Sequence, residues 1–247
     1  MNIVGNDISE WQGIVDWTNY KNNTNFVILR CSIGTHRVDK QFVKNRDEAR
    51  AAGLPLGFYH YSYPQYNTPE AEADYFIASI GGVRQGEVLV LDFEEKWADP
   101  VGFCNAFLAR VSSKLNGYKP MIYLNQSQLT SYDWKPISDA GYGLWVAAYT
   151  YDPTKNDFQK GSWPFAAAQQ WTNKQSVPGI SGNVDGDVFF GDQATFKKYG
   201  YQLPAPAPET VTILKSEYEG MKKQISDGTA NIAELEGRIS RAKADLG

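Results

Sequence analysis

Over most of the chain, apolar runs of strand length alternate with stretches in which apolar residues recur every three or four positions. The runs are Ile3–Ile8, Phe26–Ile33, Leu54–Tyr61, Val88–Phe93, Met121–Leu124, Leu144–Tyr149, Phe165–Trp171 and Val184–Phe190. The helix-like stretches include Lys40–Ala52, Pro69–Ile80 and Pro100–Leu115. Thr68 ahead of Pro69 supplies an N-cap, followed by proline at the first helical position. Near-continuous apolar strands suit a parallel sheet buried on both faces, and the intervening helices supply its crossovers. Eight such runs suggest a closed ring. The connection after Tyr123 is short, and the region from Tyr149 to Gly182 holds little helix. The expected fold is therefore α/β: an incomplete TIM-like (β/α) barrel with eight strands and fewer helices, plus a C-terminal helical coiled-coil tail.

The tail begins where the pattern changes. Leu203-Pro204-Ala205-Pro206-Ala207-Pro208 is a stiff, extended linker, because each proline fixes φ and disfavours helix in the residue before it. Beyond it, apolar or small residues fall at Val211, Leu214, Tyr218, Met221, Ile225, Gly228, Ile232, Leu235, Ile239, Ala242 and Leu246, an unbroken alternation of three and four. That is a heptad seam. Ser226-Asp227-Gly228-Thr229 is the weak point. It could turn the segment into a helical hairpin with Thr229 as the second N-cap, but the unbroken register favours one helix, since glycine inside a helix costs only about 1 kcal/mol. The expected organisation is a catalytic barrel over residues 1–202, a Pro/Ala linker over 203–208 and a helical heptad segment over 209–247. A helix exposing such a stripe needs a partner, so self-association through residues 209–247 is expected.

Composition narrows the functional classes. The chain has 247 residues, of which 42% are hydrophobic, enough for one sizeable core. With 24 basic and 28 acidic residues the net charge is −4, which offers neither a basic patch for nucleic acid nor a polybasic membrane tail. No apolar run approaches the roughly 20 residues that span a bilayer. Met1 to Asp7 lacks the basic and apolar regions of a signal peptide, so synthesis in the cytoplasm is expected. The two cysteines, Cys31 and Cys104, sit in apolar surroundings and read as small buried hydrophobes. Aromatics reach 14%, including 7 Trp and 15 Tyr, which suits either a large core or a carbohydrate groove.

The chemistry lies in acidic residues at the ends of the apolar runs: Asp7, then Asp92 and Glu94, then Asp185 with Asp187 nearby. In a β/α barrel the carboxyl ends of the strands form the active-site face. Asp92 and Glu94 are two apart, so strand alternation points both to one side and Phe93 to the other. Two carboxylates held close cannot both ionise freely, so one stays protonated near neutral pH. Glycoside hydrolysis needs such an acid, with a second carboxylate beside the oxocarbenium-like centre. A metal site or a set of solvated loop acids would also account for an Asp-x-Glu pair. Zinc is disfavoured by only two histidines without ligand spacing, while magnesium or calcium stays open; no cofactor is expected. His60 between Tyr59 and Tyr61 should point out of the barrel as a packed histidine, and His36 has no role.

These residues sit in recognisable motifs. Gly5-Asn6-Asp7-Ile8-Ser9-Glu10-Trp11-Gln12-Gly13 resembles the opening motif of the family 25 glycoside hydrolases, the Chalaropsis-type lysozymes. Leu56-Gly57-Phe58-Tyr59-His60-Tyr61, Leu91-Asp92-Phe93-Glu94, Pro120-Met121-Ile122-Tyr123, Leu144 to Tyr149, Gln169-Gln170-Trp171-Thr172 and Val177 to Asp185 resemble its later strands in order, covering residues 2–191. The second strand, Arg30-Cys31-Ser32-Ile33-Gly34-Thr35, and Asp187 depart from the family pattern. The resemblance implies cleavage of the β-1,4 bond between N-acetylmuramic acid and N-acetylglucosamine in bacterial peptidoglycan. It implies Glu94 as general acid, and Asp92 as nucleophile or as the group that orients the substrate's 2-acetamido oxygen. Asp7 and Asp185 would complete the acidic floor, and Tyr59, Tyr123, Tyr149 and Gln170 would line the groove. An appended module without a signal peptide looks like a bacteriophage endolysin acting on the wall after release. The alternative of another class is a catalytically inactive, peptidoglycan-binding barrel with an oligomerising tail. A chitinase-like enzyme would want a longer acidic strand motif than Val88-Leu89-Val90-Leu91-Asp92 provides.

Overall fold

A computed structural model of the chain describes residues 1–204 and 214–245. The chain divides into two compact units, Met1–Pro204 and Ala205–Gly247. The first holds nine strands: β1 (Ile3–Ile8), β2 (Phe26–Ile33), β3 (Arg37–Val38), β4 (Leu56–Tyr61), β5 (Val88–Asp92), β6 (Met121–Asn125), β7 (Gly143–Ala147), β8 (Ala168–Gln175) and β9 (Val184–Phe189). Its helices are α1 (Trp17–Tyr20), α2 (Phe42–Ala52), α3 (Pro69–Ile80), α4 (Pro100–Lys114), α5 (Gln126–Ser131), α6 (Lys135–Asp139) and α7 (Gln193–Tyr199). Eight strands close into a ring in the order β1-β2-β4-β5-β6-β7-β8-β9, and the two-residue β3 hangs antiparallel from β2. The strands from β1 through β8 pair in parallel, but β9 runs antiparallel to both β8 and β1. The all-parallel sheet expected from the apolar runs thus fails at its last strand. A parallel crossover needs a dozen or more residues, and only residues 176–183 separate β8 from β9.

Alternation along the strands sorts side chains into two cores. Phe26, Ile28, Val88, Val90, Met121, Trp145, Ala168 and Phe189 fill the barrel. Phe196 of α7 plugs its floor, 4.9 Å from the Phe26 ring and 5.2 Å from Phe189. Leu29, Phe58, Leu89, Leu91, Ile122 and Leu144 face outward onto Phe42, Ala49, Phe76, Phe107 and Leu108 of α2, α3 and α4. Thr68 caps α3 by accepting from Ala71 N–H, and Asp99 caps α4 by accepting from Gly102 N–H. The loop ahead of β9 is locked by Gly179, at φ +98°, where a Cβ would lie 2.6 Å from Asp16 O. Only a residue without a side chain fits that approach.

Among its described residues, the second unit forms one helix, α8 (Lys215–Asp245), that runs through Gly228 without a turn. Thr229 does not cap a new helix; its hydroxyl donates back to Ile225 O at 2.8 Å. Leu214, Tyr218, Met221, Ile225, Ile232, Leu235 and Ile239 are all exposed along it. Val211, Leu246 and residues 205–208 of the linker lie outside the described residues. No helix among the described residues is long and apolar enough to cross a membrane.

His60 points outward and is fully buried between Phe76 and Phe107. Burial lowers its pKa, so the ring is neutral. Nε2 faces Glu72 Oε2 at 3.1 Å and Nδ1 faces Ser32 Oγ at 2.8 Å. A carboxylate accepts only, so Nε2 carries the hydrogen and Nδ1 accepts from the serine. Glu72 Oε1 also accepts from Tyr63 N–H at 2.8 Å and from the Asn67 amide at 2.9 Å. Glu72 thereby ties β4, the following loop and α3 together. Glu72→Ala should lower the unfolding free energy by about 3 kcal/mol, since three donors lose their acceptor at roughly 1–3 kcal/mol for each one left buried. Urea denaturation checks this; a midpoint unchanged at constant slope would mean the network adds nothing.

Candidate active site

The parallel strands bring their carboxyl ends to one mouth of the barrel, and β9, running backwards, brings its amino end to the same mouth. Asp7 near the end of β1 is therefore in register with Asp185 near the start of β9. Asp92 ends β5, beside Tyr123 of β6. Glu94 stands two residues past the strand. Phe93 N–H still donates to Tyr123 O at 3.2 Å, so alternation continues beyond Asp92. The Phe93 ring anchors outward against Phe103 and Trp134. Gln128 holds the turn by donating to the carbonyls of Glu94 and Glu95, at 3.1 and 2.9 Å.

All eight residues singled out from the sequence line one cleft of about 280 Å³: Asp7, Asp92, Glu94, Asp185, Tyr59, Tyr123, Tyr149 and Gln170. Tyr149 stands just past β7, which ends at Ala147 rather than at the tyrosine. Gln170 organises the floor. Its Nε2 donates to Asp7 Oδ2 at 2.7 Å, and its Oε1 accepts from the hydroxyls of Tyr123 at 2.9 Å and Tyr149 at 3.1 Å. A carboxylate on one side and two phenols on the other fix which way the amide points. Asp92 Oδ1 is buried with no hydrogen-bond partner among the described residues.

Crowding acids into this space keeps protons on them. Asp7 is pushed up to about 8, first by burial and then by Asp185. Asp92 lies well above the ordinary carboxyl range through burial, then Glu94 and Asp7, with Arg30 pulling the other way. Glu94 is raised by loss of water at the cleft wall, then by Glu95. Burial raises Asp185 as well. The arrangement combines a protonated acid with neighbouring carboxyls, the pairing needed to protonate a leaving oxygen and stabilise or trap the resulting cation.

Several cleft residues were not singled out. Tyr61 shares the inward face of β4 with Tyr59, and the two-residue alternation could have found it. Its hydroxyl donates to Glu95 Oε1 at 2.9 Å, and Gln65 donates to Oε2 at 3.2 Å, so the carboxylate beside Glu94 is held in place. Arg30 enters from β2, where its guanidinium is engaged by Asp39 at 2.8 Å and Glu10 at 3.2 Å. Glu10 also pairs with Arg37. These pairs brace the turn Glu10–Gln12, which Ser9 caps and from which Trp11 projects, 77% exposed, at the rim. Trp145 lies beneath, donating its indole N–H to Asp187 Oδ1 at 3.1 Å. Among the described residues no group of histidine, cysteine and acidic side chains is arranged to hold a metal ion.

Comparison with known proteins agrees with this geometry. The model of glycosyl hydrolases family 25 matches residues 6–180. Lysozyme M1 of Streptomyces globisporus is 28% identical over 212 residues, covering 78% of this chain and 69% of that protein. The crystal structure of a bacterial lysozyme from Streptomyces coelicolor superposes with a TM-score of 0.72 at 25% identity, over 81% of this chain and 98% of that one. The catalytic domain of endolysin ply40 from bacteriophage P40 of Listeria monocytogenes superposes with a TM-score of 0.62 at 27% identity, over 80% and 98%. With the family model matching residues 6–180, well over half of the sequence, and the same fold in the solved relatives, this chain belongs to the family 25 glycosyl hydrolases.

Proposed function

We propose that the chain is a lysozyme, an N-acetylmuramidase that hydrolyses the β-1,4 bond between N-acetylmuramic acid and N-acetylglucosamine in bacterial peptidoglycan. The observation that carries this reading is the meeting of Glu94 and Asp92 in one cleft, with both carboxyls raised and Asp7 and Asp185 behind them. Glu94, at the open mouth, is the general acid that protonates the glycosidic oxygen. Asp92 is the second carboxylate, acting as nucleophile or by orienting the substrate's 2-acetamido group. Asp7 and Asp185 complete the floor, and Tyr59, Tyr123, Tyr149 and Gln170 shape the wall. Similarity to a phage endolysin, together with the appended helix, supports a role in lysis of a bacterial host from the wall side. The apolar stripe of α8 supports self-association through the C-terminal segment.

Wild type should release muramic-acid reducing ends from purified peptidoglycan, and Glu94→Gln should be about 100-fold slower or worse, as expected when a general acid is lost. Wild type that binds the wall and releases nothing would make the barrel a binding module.

The pH dependence has a definite sign. Glu94 works protonated, and the Glu95 charge helps to keep it so. Activity should fall as pH rises through the raised Glu94 pKa. Glu95→Gln removes that repulsion, so the alkaline limb of kcat/KM should move to lower pH. A limb that stays put would assign it to another group.

Deleting the chain from Pro204 onward should leave reducing-end release intact while lowering potency on whole cells and shifting sedimentation toward a smaller species. An unchanged sedimentation profile would remove self-association from the reading.

A further inference from the structure

Asp187 has no part in the reaction described above, yet it is the most enclosed carboxyl of the barrel. It is fully buried on β9 and in register with Gly5 of β1 and Gln170 of β8. An isolated carboxylate at such a depth would be strongly disfavoured. Its contacts indicate which form is present. Oδ1 accepts from the Trp145 indole at 3.1 Å. Oδ2 is closed off from solvent and receives no donor among the described residues. Asp7 lies two residues beyond Gly5 on β1, on the same inward face, and is held by Gln170, the register partner of Asp187, so its carboxyl is the neighbour placed to meet that oxygen.

Two carboxylates have no hydrogen to share, so a bond between carboxyls exists only when one of them holds a proton. Asp7 lines the open cleft and already accepts from Gln170, whereas Asp187 does not reach the cleft. The deeper, drier partner is the one that gains more by being neutral. We propose that Asp187 is a positioning residue that works as a neutral carboxylic acid: it accepts from Trp145, donates its own hydrogen to Asp7, and together with Gln170 fixes the Asp7 carboxyl toward the cleft. Its role in turnover rests on the muramidase reading; its protonation does not.

The surroundings agree. Burial, then Asp7 and Asp185, hold the Asp187 carboxyl well above its ordinary range. The other titratable groups facing the pair are Glu94 and Asp92 from β5 and its end, and Arg30 from β2. Four phenols also face it: Tyr20 of α1, Tyr59 of β4, Tyr123 of β6 and Tyr149 beyond β7. Arg30 alone among them is cationic, and it is paired with Asp39 and Glu10.

The test is the melting temperature of wild type and Asp187→Asn as a function of pH. In the unfolded chain an aspartate ionises at about pH 4. If the folded protein keeps Asp187 protonated, the unfolded state binds fewer protons above that pH, and wild type loses stability as pH rises. Asparagine has the same shape, can accept from Trp145 and donate to Asp7, and has no proton to release. The melting temperature of the variant minus that of wild type should therefore climb steadily as pH rises above about 4. A flat or falling difference overturns the proposal, because Asp187 would then be ionised in the fold.

Activity supplies a second arm. Asp187→Asn should keep kcat within about threefold of wild type. Asp187→Leu, with similar bulk and no donor, should lose about 10- to 100-fold in kcat with KM little changed, the span for leaving a buried polar group without its hydrogen-bond partner. Equal losses in both variants would also overturn the proposal. Should the asparagine variant not fold, ¹³C-aspartate NMR of wild type decides: no buried carboxyl carbon at its protonated shift at neutral pH is the adverse outcome. The melting and NMR arms need no turnover, so a chain without muramidase activity would fail the functional reading and leave the Asp187 proton to be judged separately.

Discussion

A strand can lie parallel to its predecessor only after the chain has crossed back over the sheet, and the last stretch of the barrel is too short to do so. With residues 176–183 as its only connection, β9 must return antiparallel. That constraint closes the ring between β8 and β1 and leaves no open edge in it. It also decides the site. Asp185 lies at the start of its strand and Asp7 at the end of its own, and they share a mouth only because the two strands oppose each other. The locking of Gly179 against α1 holds the short connection that makes the reversal possible.

The consequence is a concentration of acid that no set of cations balances. Arg30 is the basic side chain lining the cleft, and it is committed to Asp39 and Glu10. The acids are instead held by neutral donors, notably Gln170, and by their own protons. Such a floor is costly for folding, and that cost is carried by the packing beneath it, where Phe26, Val88, Val90 and Phe189 fill the barrel. The same strain between like charges is what leaves a carboxyl protonated where the chemistry needs one.

Much of this was legible in the residues. The apolar runs placed β1 and β2 to the residue and β4 to β6 closely, because each is buried on two faces and bounded by polar turns. Alternation placed Asp92 inward and His60 outward. The direction of β9 was not legible, since a two-residue period reads the same from either end. The short helices α1, α5, α6 and α7 carry too few turns to show a periodicity. β8 begins later and runs longer than its apolar run, because Thr172 to Gln175 pair with β9 despite their polarity. Glu95 escaped because it lies beyond a strand end, where alternation no longer assigns a face, and Trp145 because its apolar run looked like core alone. The helix through Gly228 follows from the heptad register, whereas no feature of the sequence states what covers its stripe.

The Gln170 amide has a further meaning for recognition. Tyr123 and Tyr149 both direct their hydroxyl hydrogens onto its single oxygen. While that arrangement stands, neither phenol can donate to a sugar. They can accept through a lone pair, and the aromatic faces remain free to meet the C–H side of a ring. At those two positions the phenols present the cleft with acceptor lone pairs and aromatic faces, and no hydroxyl donor.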